Sequence, residues 1–318
     1  MFLDAFRTTA SSVFEIFILA AIGYFMVKRN IINDTGLHAL SRLLVEVTLP
    51  LMMFCELTRN FAFRLYPNWW VFPLLSFFIT ALGLGIGFLF QRFVTDKEER
   101  MRFLALVGFQ NSGYLPLALV GTLLSYNHVG SMFIYIFLFL LGFNLAIWSL
   151  GVYLLTFHKT KGFELGSLFT PPVIATVFSL VYVFLHLNQF TPPVIMKPLQ
   201  MVGACTLPLA MFVVGGNLGS INIGKIDKKL LSLIIGLKLI LMPVLGLLLV
   251  VVLGMRDLIG LLIVMQLAMP PATTLSVIMR HYHKDDILVS QGIFFGHIVS
   301  LITIPVFLSL YFMRLVVK

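Results

Sequence analysis

Ten long apolar stretches, separated by short polar segments, limit what this chain can fold into. Their lengths centre on about 20 residues, which is what a helix needs to cross roughly 30 Å of hydrocarbon. Hydrophobic residues make up 59% and charged residues 11% of the 318 residues, which leaves too little polar surface for a soluble globule. The sequence therefore predicts an all-α polytopic membrane protein in a lipid bilayer. Its ten transmembrane helices are expected at about residues 12–27, 38–58, 69–91, 103–124, 130–157, 168–187, 197–219, 230–254, 257–279 and 286–314.

Lysine and arginine residues outside these spans are unequally divided between the two sides of the membrane. Loops that follow the odd-numbered spans hold thirteen of them, and the other side holds seven. By the positive-inside rule the thirteen face the cytoplasm, so both termini are expected on the extracytoplasmic side of the cell (inner) membrane. The formal net charge of +9 thus follows from membrane topology. The sequence has no basic face or arm, and binding of nucleic acid is not expected.

One heptapeptide occurs twice in the chain almost unchanged. The segment Thr48–Phe54, TLPLMMF, returns 158 positions later as Thr206–Phe212, TLPLAMF. The chain is therefore predicted to contain two copies of one unit, residues 1–157 and 158–318. Each copy has five spans, and because five is odd, the second copy enters the bilayer from the side opposite to the first. Such 5+5 inverted repeats are typical of secondary transporters, in which the two halves exchange conformations and give alternating access.

Two of the predicted spans contain residues that interrupt a helix. In the fourth span an amide, a hydroxyl, a glycine and a proline occur close together, and Pro116 frees the carbonyl of Ser112 from its helical hydrogen bond. In the ninth span the adjacent Pro270 and Pro271 free two further carbonyls. Non-helical backbone at this depth is tolerated only where it is buried in protein or lines a wet cavity. Both helices are therefore predicted to break, and the breaks to meet at the centre of the protein.

The two breaks form the predicted substrate-binding site. Half-helix N-termini offer unpaired N–H groups and about half a positive charge each, while the freed carbonyls offer acceptors. Such a combination binds small ions or polar solutes. The candidate substrate-binding residues are Gln110, Asn111, Ser112, Gly113, Pro116, Gln266, Pro270, Pro271, Thr273 and Thr274.

Three motifs point to a known family. They are Asn111-Ser112-Gly113 followed by Leu115-Pro116-Leu117, Met269-Pro270-Pro271-Ala272 followed by Arg280-His281-Tyr282, and Ile302-Thr303-Ile304-Pro305. Through these motifs and the number and order of its spans, essentially the whole chain resembles the auxin efflux carrier family. That family includes plant auxin exporters and bacterial relatives described as malonate or malate permeases. This chain is similar to the bacterial type, because it lacks the long central cytoplasmic loop of the plant exporters.

The resemblance implies an architecture and a class of ligand. Spans 1, 2, 6 and 7 would form a scaffold domain through which two copies form a homodimer. Spans 3 to 5 and 8 to 10 would form a transport domain in which the broken fourth and ninth helices cross. A small organic anion would bind near Asn111 and the crossed helices, and an elevator-like displacement of the transport domain would carry it across the membrane.

Two charged residues are expected deep within the spans. Lys238 lies near the middle of the eighth span, where a lysine costs about 2.5 to 3.5 kcal/mol. One interpretation is functional: Lys238 adds positive potential to the binding site, or it follows the state of the transporter by changing partners. The other interpretation is that Lys238 is held permanently by backbone carbonyls and polar neighbours. Glu46, in the second span, is the best carboxylate for proton coupling if burial favours its neutral form. Alternatively, it pairs with Arg42, one helical turn earlier.

Asn144 and His297 flank glycines at equivalent places in the two copies, Gly142 and Gly296. Close helix packing at these glycines would turn both polar side chains toward the breaks, where they would support the binding residues. Alternatively, His297 is simply satisfied by one hydrogen bond in the core. The interiors of spans 3 to 5 and 8 to 10 contain no Asp or Glu, which argues against a sodium site and favours an anionic substrate. No metal site and no cofactor are predicted.

A secondary active transporter or uniporter of small organic anions, with an elevator-type mechanism, is therefore the leading hypothesis. The alternatives are a sodium-coupled symporter similar to bile-acid carriers, and a membrane ligand sensor that binds without transport. A membrane enzyme is disfavoured, because the loops contain no paired-aspartate motif, histidine box or nucleophile motif.

Overall fold

A computed structural model describes residues 2–156, 165–221, 227–282 and 287–316, and within these ranges the chain forms helices and no β-strand. The predicted all-α class is confirmed. The helices are α1 Phe2–Lys28, α2 Asp34–Leu43, α3 Leu49–Asn60, α4 Val71–Phe90, α5 Lys97–Gly108, α6 Tyr114–Leu123, α7 Tyr126–Ala146, α8 Val152–Thr156, α9 Pro171–Phe184, α10 Pro193–Ala204, α11 Thr206–Ser220, α12 Lys228–Gly236, α13 Met242–Val252, α14 Leu258–Ala268, α15 Thr274–His281 and α16 Ile287–Val316.

Three π turns join six of these helices into three longer ones. They are Leu44–Thr48 between α2 and α3, Ile147–Gly151 between α7 and α8, and Leu237–Leu241 between α12 and α13. Two of the turns come just before a proline, Pro50 or Pro243, which cannot donate to the carbonyl four residues earlier. A π turn accommodates such a proline without ending the helix. The polypeptide therefore continues as one helix through each of these places.

Within the described residues, six helical stretches are long and apolar enough to cross a membrane, which supports an integral membrane protein. They coincide with the predicted first, third, fifth, seventh, eighth and tenth spans. The predicted fourth, sixth and ninth spans contain the shorter apolar helices α6, α9 and α14. The predicted second span corresponds to the continuous helix 34–60, which carries Arg42 and Glu46. The total of ten spans stays a prediction. The six stretches are Phe2–Lys28, Val71–Phe93, Asn127–Thr156, Pro193–Ser220, Lys228–Val252 and Ile287–Met313.

Glycines allow α1 to lie directly against α11. A Cβ atom added at Gly215 would collide with the backbone of Ala20, and one added at Gly23 would collide with the backbone of Phe212. Because no side chain fits between these backbones, the two helices pack at the distance that glycine permits. α1 also packs against α16, and α3 against α9 and α10. Further contacts join α4 to α5 and α7, and α13 to α14.

Two of the helices next to the predicted breaks, α6 and α14, are buried over most of their length. In α14 every residue from Gly260 to Ala268 is buried, and in α6 the same holds from Leu115 to Val120. Helices α4, α9 and α10 instead expose large apolar side chains such as Phe78, Phe178 and Met201. An apolar helix that is buried all round belongs in the protein core, whereas exposed apolar side chains suit lipid. The breaks therefore lie inside protein, as the sequence predicts.

Candidate binding cavity at the paired helix breaks

The first break separates α5 from α6. α5 ends before Phe109, which takes an extended conformation with φ −110° and ψ 117°. α6 begins at Tyr114, so Pro116 falls in its first turn, where no helical donor is required of it. The carbonyl that Pro116 leaves without a donor, that of Ser112, accepts a hydrogen bond from Gln266 Nε2 at 3.1 Å. The proline therefore starts a new helix, and a side chain from α14 replaces the missing donor.

The second break separates α14 from α15. Met269 leaves α14 in an extended conformation with φ −72° and ψ 143°, because the residue before a proline is disfavoured in a helix. Pro270 and Pro271 follow, and α15 begins at Thr274. Gly296 lets α16 lie against this segment, since a Cβ atom there would be 2.7 Å from Pro271 Cδ. The prolines thus end one helix and pack closely against another.

The two breaks pair with each other through their backbones in an isolated antiparallel β-bridge. The N–H of Asn111 donates to the carbonyl of Pro270 at 2.8 Å, and the N–H of Ala272 donates to the carbonyl of Phe109 at 3.1 Å. Backbone groups that would be unpaired in hydrocarbon therefore satisfy each other. The predicted meeting of the two interrupted helices in the protein interior is observed.

A cavity of about 920 Å³ opens at the paired breaks. The first residues of α6 and α15 both line it, so two helix N-termini face the same space. Six of the ten predicted substrate-binding residues line the cavity, namely Gln110, Asn111, Ser112, Gly113, Thr273 and Thr274. The other four lie behind the cavity, where they either shape the backbone of the breaks or form hydrogen bonds with it. They are Pro116, Gln266, Pro270 and Pro271. Of the predicted supporting residues, Asn144 and Glu46 line the cavity, whereas Lys238 and His297 contact residues that line it.

The buried His297 fixes the side chain of Asn111 from behind. His297 Nδ1 is 2.8 Å from the carbonyl oxygen of Ile293, and because a carbonyl only accepts, this nitrogen carries the proton. In the neutral ring, Nε2 then accepts from Asn111 Nδ2 at 3.4 Å. Asn111 Oδ1 in turn accepts from the backbone N–H of Leu115 in the first turn of α6, at 3.5 Å. The amide of Asn111 is therefore held at both ends, and its role in substrate binding stays a prediction.

Lys238 is wholly buried in the π turn between α12 and α13. Its Nζ donates to the carbonyl of Val107 at 2.8 Å and to Oε1 of Gln110 at 3.5 Å. Val107 belongs to the last turn of α5, whose carbonyls have no donor within the helix. Among the residues that the structure describes, no carboxylate pairs with Lys238. A backbone carbonyl and an amide are thus its partners in this structure, and that Lys238 keeps them permanently stays a prediction.

Arg42 and Glu46 form a two-pronged ion pair in the lining of the cavity. Arg42 Nε is 3.0 Å from one carboxylate oxygen of Glu46, and Nη2 is 3.1 Å from the other. The predicted pairing is confirmed. The expectation that Glu46 is buried is wrong, because the cavity leaves this face of the helix open and the Glu46 side chain is 47% exposed. Burial therefore gives no support to proton coupling through Glu46.

One wall of the cavity was not predicted, and it is formed by the helix 34–60. Its lining residues recur every three or four positions, which is the spacing of one helix face, and this spacing is the signal that could have revealed them. Arg280 and His281, at the end of α15, also line the cavity, as do the aromatic rings of Phe143 and Trp148. The residues of the helical wall are Asp34, Leu37, His38, Ser41, Arg42, Val45, Glu46 and Leu49.

The lining combines a region that attracts anions with apolar walls. Helix N-termini bind anions because their first N–H groups are unpaired and carry the positive end of the helix dipole. Leu140, Val213 and Val277 supply apolar surface in the same cavity. No group of three or more His, Cys, Asp or Glu residues that could hold a metal ion occurs in the described ranges. The arrangement suits a small molecule with a negative group and a short carbon skeleton.

Comparison with known protein families gives a match along most of the chain. A model of the family described as membrane transport protein matches residues 8–164 and 156–308. Both helix breaks and all the residues of the cavity lie within the matched stretches. A comparison with curated proteins finds no match.

Proposed function

The chain belongs to the family of membrane transport proteins that contains the auxin efflux carriers, and from this premise we propose that it is a secondary transporter or uniporter of small organic anions. The anion binds in the cavity at the paired breaks. It crosses the cell membrane by an elevator-type movement that exposes the cavity to each side in turn, in a protein that forms homodimers through its scaffold domain.

The observation that carries the proposal is the meeting of two half-helix N-termini in one cavity. α6 begins at Tyr114 and α15 at Thr274, and both residues line the cavity. Each N-terminus carries about half a positive charge. In the first turn of α6 the N–H of Leu115 is paired with Asn111 Oδ1 and Pro116 has no N–H, so α6 acts mainly through its dipole. Neither break contains an acidic residue, and Thr273 adds a hydroxyl group to the lining, while the Ser112 hydroxyl donates to the carbonyl of Gln110 at 3.4 Å. The paired breaks therefore favour an anion over a cation.

A ten-span inverted repeat explains why the protein has two equivalent breaks. α5 and α6 in the first copy correspond in order to α14 and α15 in the second, and Pro116 corresponds to Pro270. Each pair interrupts the fourth span of its copy. Exchange of conformations between two such copies opens a central site to opposite sides of the membrane. With the basic loops in the cytoplasm, both termini face the extracytoplasmic side.

Many of the contacts between helices fall within one of two groups, and contacts of α1 with α16 and of α6 with α11 join the proposed fixed part to the proposed moving part. The contacts of α1 with α11, and of α3 with α9 and α10, all join predicted spans 1, 2, 6 and 7. Those of α4 with α5 and α7, and of α13 with α14, join predicted spans 3 to 5, 8 and 9. The cavity is lined by the breaks from the second group and by α2 from the first. The anion would thus move with the breaks, past a wall formed by the scaffold.

Purified protein in proteoliposomes tests the proposal. Malonate, malate, acetate and indole-3-acetate are first ranked by the thermal shift that each causes, and the best is used in radiolabelled form for uptake. Saturable uptake is expected in the wild type and in Asn68→Ala, which changes an exposed asparagine outside the cavity. Asn111→Ala should weaken binding about tenfold, as expected from lost interactions worth about 1 to 2 kcal/mol. Folded wild type that neither binds nor transports any of the four anions would refute the proposal.

The same vesicles separate the alternatives. A sodium-coupled symporter would take up the anion only with an inward sodium gradient, and replacement of sodium by choline would abolish uptake. A ligand sensor would give saturable binding without flux under every gradient. Uptake that continues in choline is the result that the proposed mechanism requires.

A further inference from the structure

Lys238 lies where the negative end of a helix meets an amide oxygen of the first break. Its Nζ is 2.8 Å from the carbonyl oxygen of Val107 and 3.5 Å from Oε1 of Gln110. Val107 is in the last turn of α5, and a helix C-terminus carries about half a negative charge. In transporters with broken helices, carbonyls at such helix ends coordinate alkali cations. The side chain of Lys238 therefore occupies the kind of position in which a dissolved cation would otherwise bind.

The surroundings of the Val107 carbonyl leave room for one cationic group. A Cβ atom added at Gly83 would lie 2.9 Å from this oxygen, so α4 covers it closely. Lys238 is 0% exposed, and its neighbours Leu237 and Leu239 in the π turn are also buried. With α4 over the carbonyl and Lys238 against it, the lysine takes the space that an ion would need.

The charge of Lys238 requires compensation, and the fold supplies it without an acid. A lysine at the middle of a membrane helix costs about 2.5 to 3.5 kcal/mol, which an apolar side chain of similar length would avoid. The described part of the chain offers no carboxylate partner, so the helix end and the two oxygen acceptors stabilise the ammonium.

We propose that Lys238 is the fixed cation of the paired breaks, a positioning residue that takes the place of a bound alkali cation. It holds the end of α5 beside the first break. Because an ammonium only donates, it also holds Oε1 of Gln110 and so directs Nε2 of the same amide away. That Nε2 is buried without a hydrogen-bond partner among the described residues, and it belongs to a residue that lines the cavity.

This inference deepens the proposed function. Only the consequence of the inference for transport rests on that proposed function. A transporter with a built-in cation binds its anion without a dissolved cation. The cation site itself rests on the contacts of Lys238 and is measured without any carboxylate. Failure of the site and failure of the proposed function are therefore distinguishable.

The experiment measures the melting midpoint of the purified protein in chlorides of sodium, potassium and choline at equal ionic strength. Wild type should melt at one temperature in all three salts, as should Lys229→Met, which changes an exposed lysine of the same helix. Lys238→Ala empties the site and should melt several degrees lower in choline. Sodium, potassium or methylammonium should restore part of that loss, because each can occupy the emptied site, whereas methanol at the same concentration should not.

A second variant keeps the test decisive if Lys238→Ala does not fold. Lys238→Gln retains a donor for Val107 but removes the charge, and it should also melt higher in sodium than in choline. Wild-type stability of Lys238→Gln in choline would overturn the proposal, since a neutral donor would then suffice. A loss that no cation restores in either variant would overturn it as well, because Lys238 would then serve packing alone. A midpoint of the wild type that rises with sodium would show that the cation is not built in.

Discussion

Gln266 donates from Nε2 to the carbonyl of Ser112 at 3.1 Å, and this hydrogen bond links the second interrupted helix to the first. In a regular helix the residue four positions later, Pro116, would donate a hydrogen bond to the Ser112 carbonyl, but proline has no N–H. The new donor to this carbonyl comes from the buried last turn of α14, while the backbone of the second break pairs with the first through Asn111 and Pro270. Each interrupted helix therefore completes the hydrogen bonding of the other, and neither break is satisfied alone.

Replacement of Gln266 by leucine should destabilise the protein. The side chain keeps nearly the same volume, but the Ser112 carbonyl loses its donor, and an unsatisfied buried acceptor costs about 1 to 3 kcal/mol. The melting midpoint measured by intrinsic fluorescence in detergent should fall by several degrees. Gln189→Leu, at an exposed glutamine, is the control and should leave it unchanged. Equal midpoints for the two variants would contradict the role given to this hydrogen bond.

Two glycines in helical conformation should respond in opposite ways to alanine. A Cβ atom at Gly296 would lie 2.7 Å from Pro271 Cδ, whereas one at Gly236 would meet nothing within 4 Å. Alanine is better than glycine in a helix by about 1 kcal/mol, so Gly236→Ala should raise the melting midpoint or leave it unchanged. Gly296→Ala should lower the midpoint, because overpacking costs about 1 to 3 kcal/mol. A rise in both variants would mean that α16 moves away from the second break at little cost.

The breaks could be predicted from the sequence because their cause is local. Pro116, Pro270 and Pro271 remove donors from their own helices whatever surrounds them, and polar neighbours mark the places where broken backbone is tolerated. The pairing of the breaks followed from the same argument, since unpaired backbone groups inside a bilayer need partners.

The exposure of Glu46 and the partners of Lys238 could not be predicted in the same way. Glu46 is open because the cavity extends along α2, and that depends on how α2 packs against helices distant in sequence. Lys238 contacts Val107, which is 131 residues away. Hydropathy gave the depth of both residues in their spans, but it carries no information about which helix lies opposite.

The Arg42–Glu46 pair should tune anion binding far more than stability. Exposed ion pairs contribute about 0 to 1 kcal/mol to stability, so Glu46→Gln and Arg42→Gln should both keep the wild-type midpoint to within a few degrees. Glu46→Gln removes a negative charge from the lining and should strengthen binding of the carboxylate probe about two- to tenfold. Arg42→Gln should weaken binding of the carboxylate probe by a similar factor, and the double variant should resemble the wild type.

The dissociation constant of the carboxylate probe is measured for each variant by titration of the thermal shift. A change of this constant in the same direction for both single variants would contradict the electrostatic argument.

The cavity should be reachable from the cytoplasm. Ser41 lines it on α2, which follows the first predicted cytoplasmic loop, whereas the exposed Ser125 precedes α7 in a predicted extracytoplasmic loop. In a Cys205→Ser background, which removes the exposed cysteine and keeps the buried Cys55, a membrane-impermeant maleimide should label Ser41→Cys in inverted vesicles only. Ser125→Cys should be labelled in right-side-out vesicles only, and the bound carboxylate probe should slow labelling of Ser41→Cys alone. Labelling of Ser41→Cys from the outside would reverse the predicted orientation, and labelling that the carboxylate leaves unchanged would separate the cavity from the binding site.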